Sequence, residues 1–113
     1  MTKQSSAQIR YVQAGQKISE IEAEMKRIGY WSPDPLPEEA YDFREAFAMD
    51  TMAFSQWLQF ILIPRVQEII EHEESFPSES MVGAQAVREF DGDENASQLV
   101  TLLSEFDDLF RGK

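Results

Sequence analysis

The stretch from Phe47 to Ile70 constrains the fold of this chain more than any other, because it joins dense apolar side chains to residues that a buried helix tolerates poorly. It reads FAMDTMAFSQWLQFILIPRVQEII. Apolar residues recur at helical spacing from position 54 to position 69, and between Trp57 and Ile63 the helix is apolar almost all round. This pattern is typical of a central helix with neighbours on several sides. We predict that helix over about residues 51–74.

Two residues in the second half of this helix carry a cost. Pro64 has no amide to bond the carbonyl of Phe60, so it predicts a kink. At 100° per residue, Arg65 falls in the middle of the apolar stripe, where an unpaired guanidinium is expensive. We therefore expect Arg65 to be buried with a carboxylate or carbonyl partner. The candidate carboxylates are Asp50, Asp107 and Asp108, and the Phe60 carbonyl that Pro64 leaves free lies one turn away.

The same region supplies the candidate site. Its members are Asp50, Trp57, Phe60, Ile63, Pro64 and Arg65. Trp57, Phe60 and Ile63 predict a groove for a protein partner. The structural alternative is that the kink and the arginine only fit the helix around a bundle.

A long helix is also predicted before this segment. Apolar residues from Tyr11 to Ile28 follow a 3-4-3-4-3 spacing, which places them on one narrow stripe of a helix over 6–28. Ser5 or Ser6 is its predicted N-cap, and Gly29 stands where a left-handed residue is wanted at its end. The segment WSPDPLP that follows contains three prolines, so it cannot form the interior of a helix. This predicts an ordered connection if Tyr30, Trp31 and Leu36 pack down, and a polyproline spacer otherwise.

Two helices are predicted after the central one, a short one over 81–90 and an amphipathic one near the C-terminus. A turn at 91–95 separates them, with Asp93 or Asn95 as a cap. The C-terminal pattern consists of Leu99, Leu102, Leu103, Phe106, Leu109 and Phe110. Since no stretch alternates apolar and polar residues over strand length, we predict an all-α, single-domain bundle of four principal helices over residues 1–113, with a Pro-kinked central helix.

The charge of the chain limits its partners. Ten Lys plus Arg against 21 Asp plus Glu give a net charge of -11, which repels phosphate backbones and anionic membranes and attracts basic proteins. Nucleic acid is therefore expected to be contacted only indirectly. The N-terminus lacks an apolar signal region and no apolar run approaches membrane-spanning length, so a soluble cytoplasmic protein is expected.

No motif predicts catalysis. The chain has no cysteine, and its single histidine, His72, sits at a helix end, where a positive group is favoured by the helix dipole. Asp91, Asp93 and Asn95 have the spacing of the first three ligands of an EF-hand loop, but the sequence that follows lacks the glycine and the final glutamate of that loop. Asp107 and Asp108 are interpreted as a solvated acidic run. We expect no catalytic residues, no metal and no cofactor.

One surface could still approach RNA held by another protein. Basic residues recur along the first helix at Lys3, Arg10, Lys17, Lys26 and Arg27. They predict either a ridge that touches a phosphate or, more commonly, a solvated helix face.

The central stretch also resembles the YqcC-like family of small bacterial proteins. The resemblance lies in MDTM, WLQ and LIPR within 49–70, with support from the W-x-x-x-P-x-P connection and the C-terminal SEFDDLF. It implies an all-helical protein without assigned catalytic residues, from a family tied to tRNA pseudouridine synthase C, an enzyme that uses its own aspartate and no cofactor.

Two functions follow as expectations. The first is a non-catalytic accessory protein that binds this synthase or another basic protein and assists tRNA modification. The second is an independent ligand-binding or enzymatic bundle that uses a pocket near Pro64.

Overall fold

The computed structural model describes residues 6–110, and within this range the chain forms helices and turns without a strand. Helix α1 spans Ser6–Arg27. One continuous central helix follows, which consists of α2 (Phe54–Trp57), a π-helical turn (Leu58–Leu62) and α3 (Ile63–Glu71). Helix α4 spans Val82–Glu89 and α5 spans Ser97–Asp108. Short 3-10 turns lie at Glu38–Tyr41, Ala46–Ala48 and Glu94–Ala96. The predicted all-α fold with four principal helices is confirmed. None of the helices in the described range is both long and apolar enough to cross a bilayer.

Helix α1 ends as its sequence predicts. Gly29 has φ +80, the N–H of Tyr30 bonds the Met25 carbonyl at 2.8 Å, and the N–H of Gly29 bonds the Lys26 carbonyl at 3.2 Å. This pair of bonds is the Schellman motif, which satisfies carbonyls that the helix leaves free. The predicted N-cap, the side chain of Ser5 or Ser6, lies outside the described part of the chain.

One core joins the four helices. Its largest fully buried side chains are Ile21, Met25, Leu58, Leu99 and Leu103. They come from α1, the central helix and α5, and α4 adds Val82 and Ala86. Each large aliphatic side chain buried in this way stabilises the fold by about 1.5–3 kcal/mol.

The proline-rich connection is packed onto the central helix, as one of the two sequence interpretations predicts. The buried side-chain amide of Gln59 accepts a hydrogen bond from the N–H of Ser32 and donates one to the Ser32 carbonyl, both at 2.8 Å. Farther along, a second small core forms under the connection, from Ala40, Ala48, Met52, Leu36, Trp57 and Ile61. The central helix is thus covered on two sides, which explains why it is apolar almost all round.

The π-helical turn overturns the predicted burial of Arg65. The exposed fraction of its side chain is 54%. The turn closes with a bond from the N–H of Ile63 to the Leu58 carbonyl, five residues back, and so holds one residue more than the α-helical count allows. Every later side chain is therefore rotated by about 100° from its predicted direction. Arg65 turns outward, and Ile63, predicted to line a groove, is 3% exposed in the core.

The central helix is shorter than predicted at both ends. Ala53 is extended and its N–H is bonded by the side chain of Gln56 at 2.8 Å, so the helix begins at Phe54. At the other end Glu73 has φ +51, and a second Schellman pair of bonds joins residues 73 and 74 to the carbonyls of residues 70 and 69. A non-glycine residue in this conformation is strained.

The interpretation of Asp107 as part of a solvated run is wrong. Its side chain is 3% exposed and accepts hydrogen bonds from the Ser80 hydroxyl at 2.5 Å, the Val82 N–H at 3.0 Å and the Gly83 N–H at 2.7 Å. A carboxylate on α5 therefore caps the first turn of α4. A Cβ atom at Gly83 would lie 2.6 Å from the Ser104 Cα, so only glycine permits this approach of the two helices.

Candidate docking surface

An open, mainly apolar pocket of about 270 Å³ lies between the central helix, residues 76–82 and α5. Of the predicted site residues it contains Trp57 and Arg65. The remaining wall is formed by Leu62, Val66, Ile69, Phe76, Pro77, Glu79, Ser80, Met81, Val82, Phe106 and Phe110.

The wall made by residues 76–82 has no regular structure before α4 but is fixed at both ends. The Phe76 ring packs against Tyr11, 5.4 Å between centroids, and against Phe110, at 5.0 Å. At the other end Ser80 and Val82 are bonded to Asp107. The pocket is therefore built on a preformed frame, which lowers the ordering cost of binding.

Trp57 forms one side of the pocket and is itself held by aromatic neighbours. Its ring stacks on Phe54 with centroids 5.8 Å apart and meets the edge of Phe47 at 4.9 Å. Phe47 and Ala48 both have positive φ, 56° and 52°. Such strain persists only where surrounding structure imposes it, and here the aromatic packing and the complete burial of Ala48 do so.

Asp50 stabilises the turn before the central helix and is not the partner of Arg65. Its carboxylate accepts the N–H of Arg44 at 3.0 Å and the N–H of Glu45 at 3.4 Å. These bonds favour the charged form, so they lower the pKa of the Asp50 carboxyl, with the Arg44 amide as the largest cause.

Exposed methionines extend the apolar surface beyond the pocket. Met81, at the pocket edge, is 59% exposed and Met49 is 50% exposed. The Gln85 amide, one helical turn after Met81, contacts the Met49 sulfur at 3.7 Å. We call Met49, Met81 and Gln85 the methionine patch. Methionine side chains adapt readily to different partners, which makes them common at binding surfaces.

Carboxylates dominate the charge beside the pocket. Arg65 pairs with Glu74 at 3.2 Å and lies 4.0 Å from Glu68. Glu79 lines the pocket wall, so three carboxylates lie at or beside the pocket against this one arginine, a net charge of −2. We call the set Glu68, Glu74 and Glu79 the acidic rim. The arginine is thus neutralised, and a surplus of negative charge remains beside the pocket.

The structure does not gather all six predicted site residues. Phe60 is half-buried, Pro64 is exposed in the first turn of α3 and Ile63 is in the core, and none of them lines the pocket. Sequence reasoning missed Phe76 and Met81. The sequence held one indication of them: in SFPSESM, between two helical patterns, a single aromatic residue stands beside a proline.

The basic residues of α1 are largely matched by carboxylates. Lys17 pairs with Glu20 at 3.0 Å and Glu105 at 2.8 Å, and the hydrogen bond to Glu105 is the largest cause of its raised pKa. Arg27 holds Glu24 with two hydrogen bonds, which lower the pKa of the Glu24 carboxyl.

A third basic residue of this row follows the same trend. Lys26 pairs with Glu22 at 2.7 Å and covers the Trp31 ring. Lys3 lies outside the described residues. These pairings favour the solvated-face interpretation over a phosphate-binding ridge.

Comparison with known proteins identifies relatives. Residues 13–109 match the DUF446 family, which carries the description tRNA pseudouridine synthase C. An uncharacterized protein of Haemophilus influenzae is 29% identical over 100 residues, 86% of this chain and 92% of that protein. A tRNA pseudouridine synthase C of Pectobacterium carotovorum is 32% identical over 65 residues, 58% of this chain but 17% of the synthase.

The YqcC resemblance is confirmed in sequence and fold. The uncharacterized Escherichia coli protein YqcC is 28% identical over 61 residues, 54% of this chain and 56% of that protein. The solution NMR structure of E. coli YqcC superposes with a TM-score of 0.80 at 22% identity, covering 89% of this chain and 87% of that one. At this identity the likeness concerns the fold.

Proposed function

This chain belongs to the DUF446 family, and from that premise we propose that it is a non-catalytic accessory protein that binds tRNA pseudouridine synthase C and assists tRNA modification. One observation carries the proposal: a segment similar to 65 residues of this chain occurs within a P. carotovorum protein named as that synthase. Covalent linkage gives two domains a high effective concentration. A separate chain achieves the same proximity only by binding its partner.

The charge of the chain supports a protein partner. An enzyme that holds tRNA needs positive charge where it meets the phosphate backbone. A chain with a net charge of -11 repels tRNA itself but is steered toward such an enzyme, which raises the association rate. The proposal therefore places its effect on the synthase, in the cytoplasm, with nucleic acid contacted only through the enzyme.

The condition of the ionisable groups around the pocket supports a non-catalytic role. Arg65 is paired with Glu74, and the buried carboxylate of Asp107 is used to cap α4. General acid or base catalysis requires a group that is available to the substrate in the required protonation state. Asp107 could act only by giving up the cap of α4, and the guanidinium of Arg65 stays protonated, so it cannot serve as a general acid or base.

Co-purification and a modification assay together test the proposal. The untagged chain should be retained by tagged synthase from the same organism. Addition of the chain should raise the rate of pseudouridine formation in tRNA at limiting enzyme. The matched control is the same chain with its acidic rim changed to glutamine. Absence of both retention and any rate change would eliminate the accessory role.

The pocket supports a second candidate, an independent ligand-binding bundle. Its volume of about 270 Å³ is slightly below the range of ordinary small-molecule sites, roughly 300–1,000 Å³. A screen of apolar fragments by protein-detected NMR distinguishes the two functions. Micromolar binding of a fragment inside the pocket, with no effect of the synthase on the chain, would favour the alternative.

A further inference from the structure

We propose that the pocket and the methionine patch together bind an amphipathic helix of a protein partner, with a large apolar side chain in the pocket and Lys or Arg side chains against the acidic rim. This inference deepens the proposed function and rests on it for the identity of the partner. The chemistry of the surface itself determines the kind of segment that fits.

The apolar half of the surface requires an apolar anchor. Trp57 is half-buried on aromatic neighbours and presents its remaining ring surface to the pocket. Met81 and Met49, exposed by 59% and 50%, continue the surface toward α4. Anchors in preformed apolar pockets carry most of the binding energy in such interfaces. A large aliphatic or aromatic side chain of the partner is the matching group.

The charges around the pocket select a cationic partner over an anionic one. Arg65 would attract a carboxylate or phosphate if it were free. Glu74, at 3.2 Å, and Glu68, at 4.0 Å, already neutralise it, and with Glu79 on the pocket wall these four side chains keep a net charge of −2. An anionic ligand would have to break an ion pair and enter a negative field. Lysine and arginine side chains meet neither obstacle.

The shape of the surface favours a helix as the bound segment. No strand edge is available for pairing in residues 6–110, so strand addition has no template there. The pocket and patch lie among the central helix, α4 and α5, with Met81 and Gln85 one turn apart on one face. A helix that presents apolar residues at i, i+3 and i+4 can engage both parts. Its opposite edge then carries the basic residues.

A designed peptide provides the first test. The probe is a synthetic helix of about 15 residues with leucine and phenylalanine on one face and lysine at the other positions. The control peptide has glutamate in place of every lysine. We expect saturable binding of the lysine peptide at micromolar concentration, with amide NMR shifts concentrated at Trp57, residues 76–82 and α4. Equal binding of the glutamate peptide, or shifts centred elsewhere, would overturn the inference.

Two matched pairs of variants locate the contacts. Met81→Ser should weaken peptide binding about tenfold, whereas Val87→Ser, which removes an equally exposed apolar side chain from α4 outside the pocket lining, should leave it unchanged. Glu79→Gln should flatten the salt dependence of binding, whereas the remote Glu94→Gln should not. If Val87→Ser weakens binding as much as Met81→Ser, the attraction is non-specific and the proposed site is wrong.

The same variants separate this inference from the proposed function. If wild-type chain and Met81→Ser bind the synthase equally well, the accessory role stands and this surface is not its interface. If Met81→Ser fails to bind the synthase while circular dichroism shows an unchanged fold, both are supported. If the chain binds the lysine peptide at the pocket but not the synthase, the surface inference stands and the choice of partner is wrong.

Discussion

Replacement of Asp107 by asparagine tests the cross-helix cap on which α4 depends. The variant keeps one oxygen acceptor but points an NH₂ group at the second backbone N–H. That leaves one buried N–H unpaired, at a cost of about 1–3 kcal/mol. It also removes a negative charge at a helix N-terminus, worth up to about 2 kcal/mol in partly buried geometry. Relief of carboxylate desolvation offsets part of this, so we expect a net loss of about 2–4 kcal/mol.

Urea unfolding followed by circular dichroism measures this loss. Total stabilities of small domains are about 5–15 kcal/mol, so the midpoint should fall clearly while the slope of the transition stays unchanged. The control is Asp91→Asn, which removes the same charge from an exposed turn and should change stability by less than about 0.5 kcal/mol. Equal midpoints for the two variants would refute the assignment of Asp107 as a buried cap.

The remaining predictions concern backbone strain, exposure and pH. Gly15→Ala should stabilise the chain by about 0.5–1 kcal/mol, because its new Cβ meets only Ile70 at an ordinary 3.7 Å. Gly83→Ala should destabilise the chain by about 1–3 kcal/mol, because its new Cβ would lie 2.6 Å from backbone. Thermal melts of the two variants compare these effects. Glu73→Gly should raise the melting temperature by relieving up to about 1 kcal/mol of left-handed strain, and a lower value would contradict the Schellman assignment. Arg65→Ala should cost at most about 1 kcal/mol, since its ion pair is exposed; a larger loss would restore the buried interpretation. The Asp50 carboxyl should titrate below its ordinary value of about 3.9 in a ¹³C NMR experiment. Its contribution to stability is therefore present above that value and disappears as the pH falls through the lower folded pKa.

Features set by local sequence were predictable. The stripe of α1 and the left-handed Gly29 depend on residues within a few positions of one another, and both are confirmed. Asp93 likewise caps the turn before α5, where its side chain accepts the N–H of Asn95 at 3.1 Å. These features arise from helix geometry and capping chemistry, which act over one or two turns.

The errors at Arg65 and Ile63 share one cause. Periodicity analysis assumes 100° per residue, and a single π-helical turn changes the phase of everything after it. Pro64 was a visible warning of irregularity, but a proline is compatible with either a kinked α-helix or a π turn. The choice between the two depends on packing against both cores, which a linear pattern does not contain.

The role of Asp107 was hidden for a different reason. Its partners Ser80, Val82 and Gly83 lie 24 to 27 residues earlier, so nothing within its own helix signals that it is buried. The glycine in the first turn of α4 was the one local indication, because a glycine inside a helical pattern often marks close packing. Long-range capping of this kind depends on the arrangement of whole helices.

Isothermal titration calorimetry between this chain and tRNA pseudouridine synthase C of the same organism tests the proposed function most directly. We predict a saturable complex whose affinity falls as salt is raised, because the attraction between an acidic chain and a basic enzyme is screened. We also predict that Met81→Ser weakens it and Val87→Ser does not. The absence of heat and of complex at low salt, with both proteins folded and the synthase active on tRNA, would contradict the accessory role.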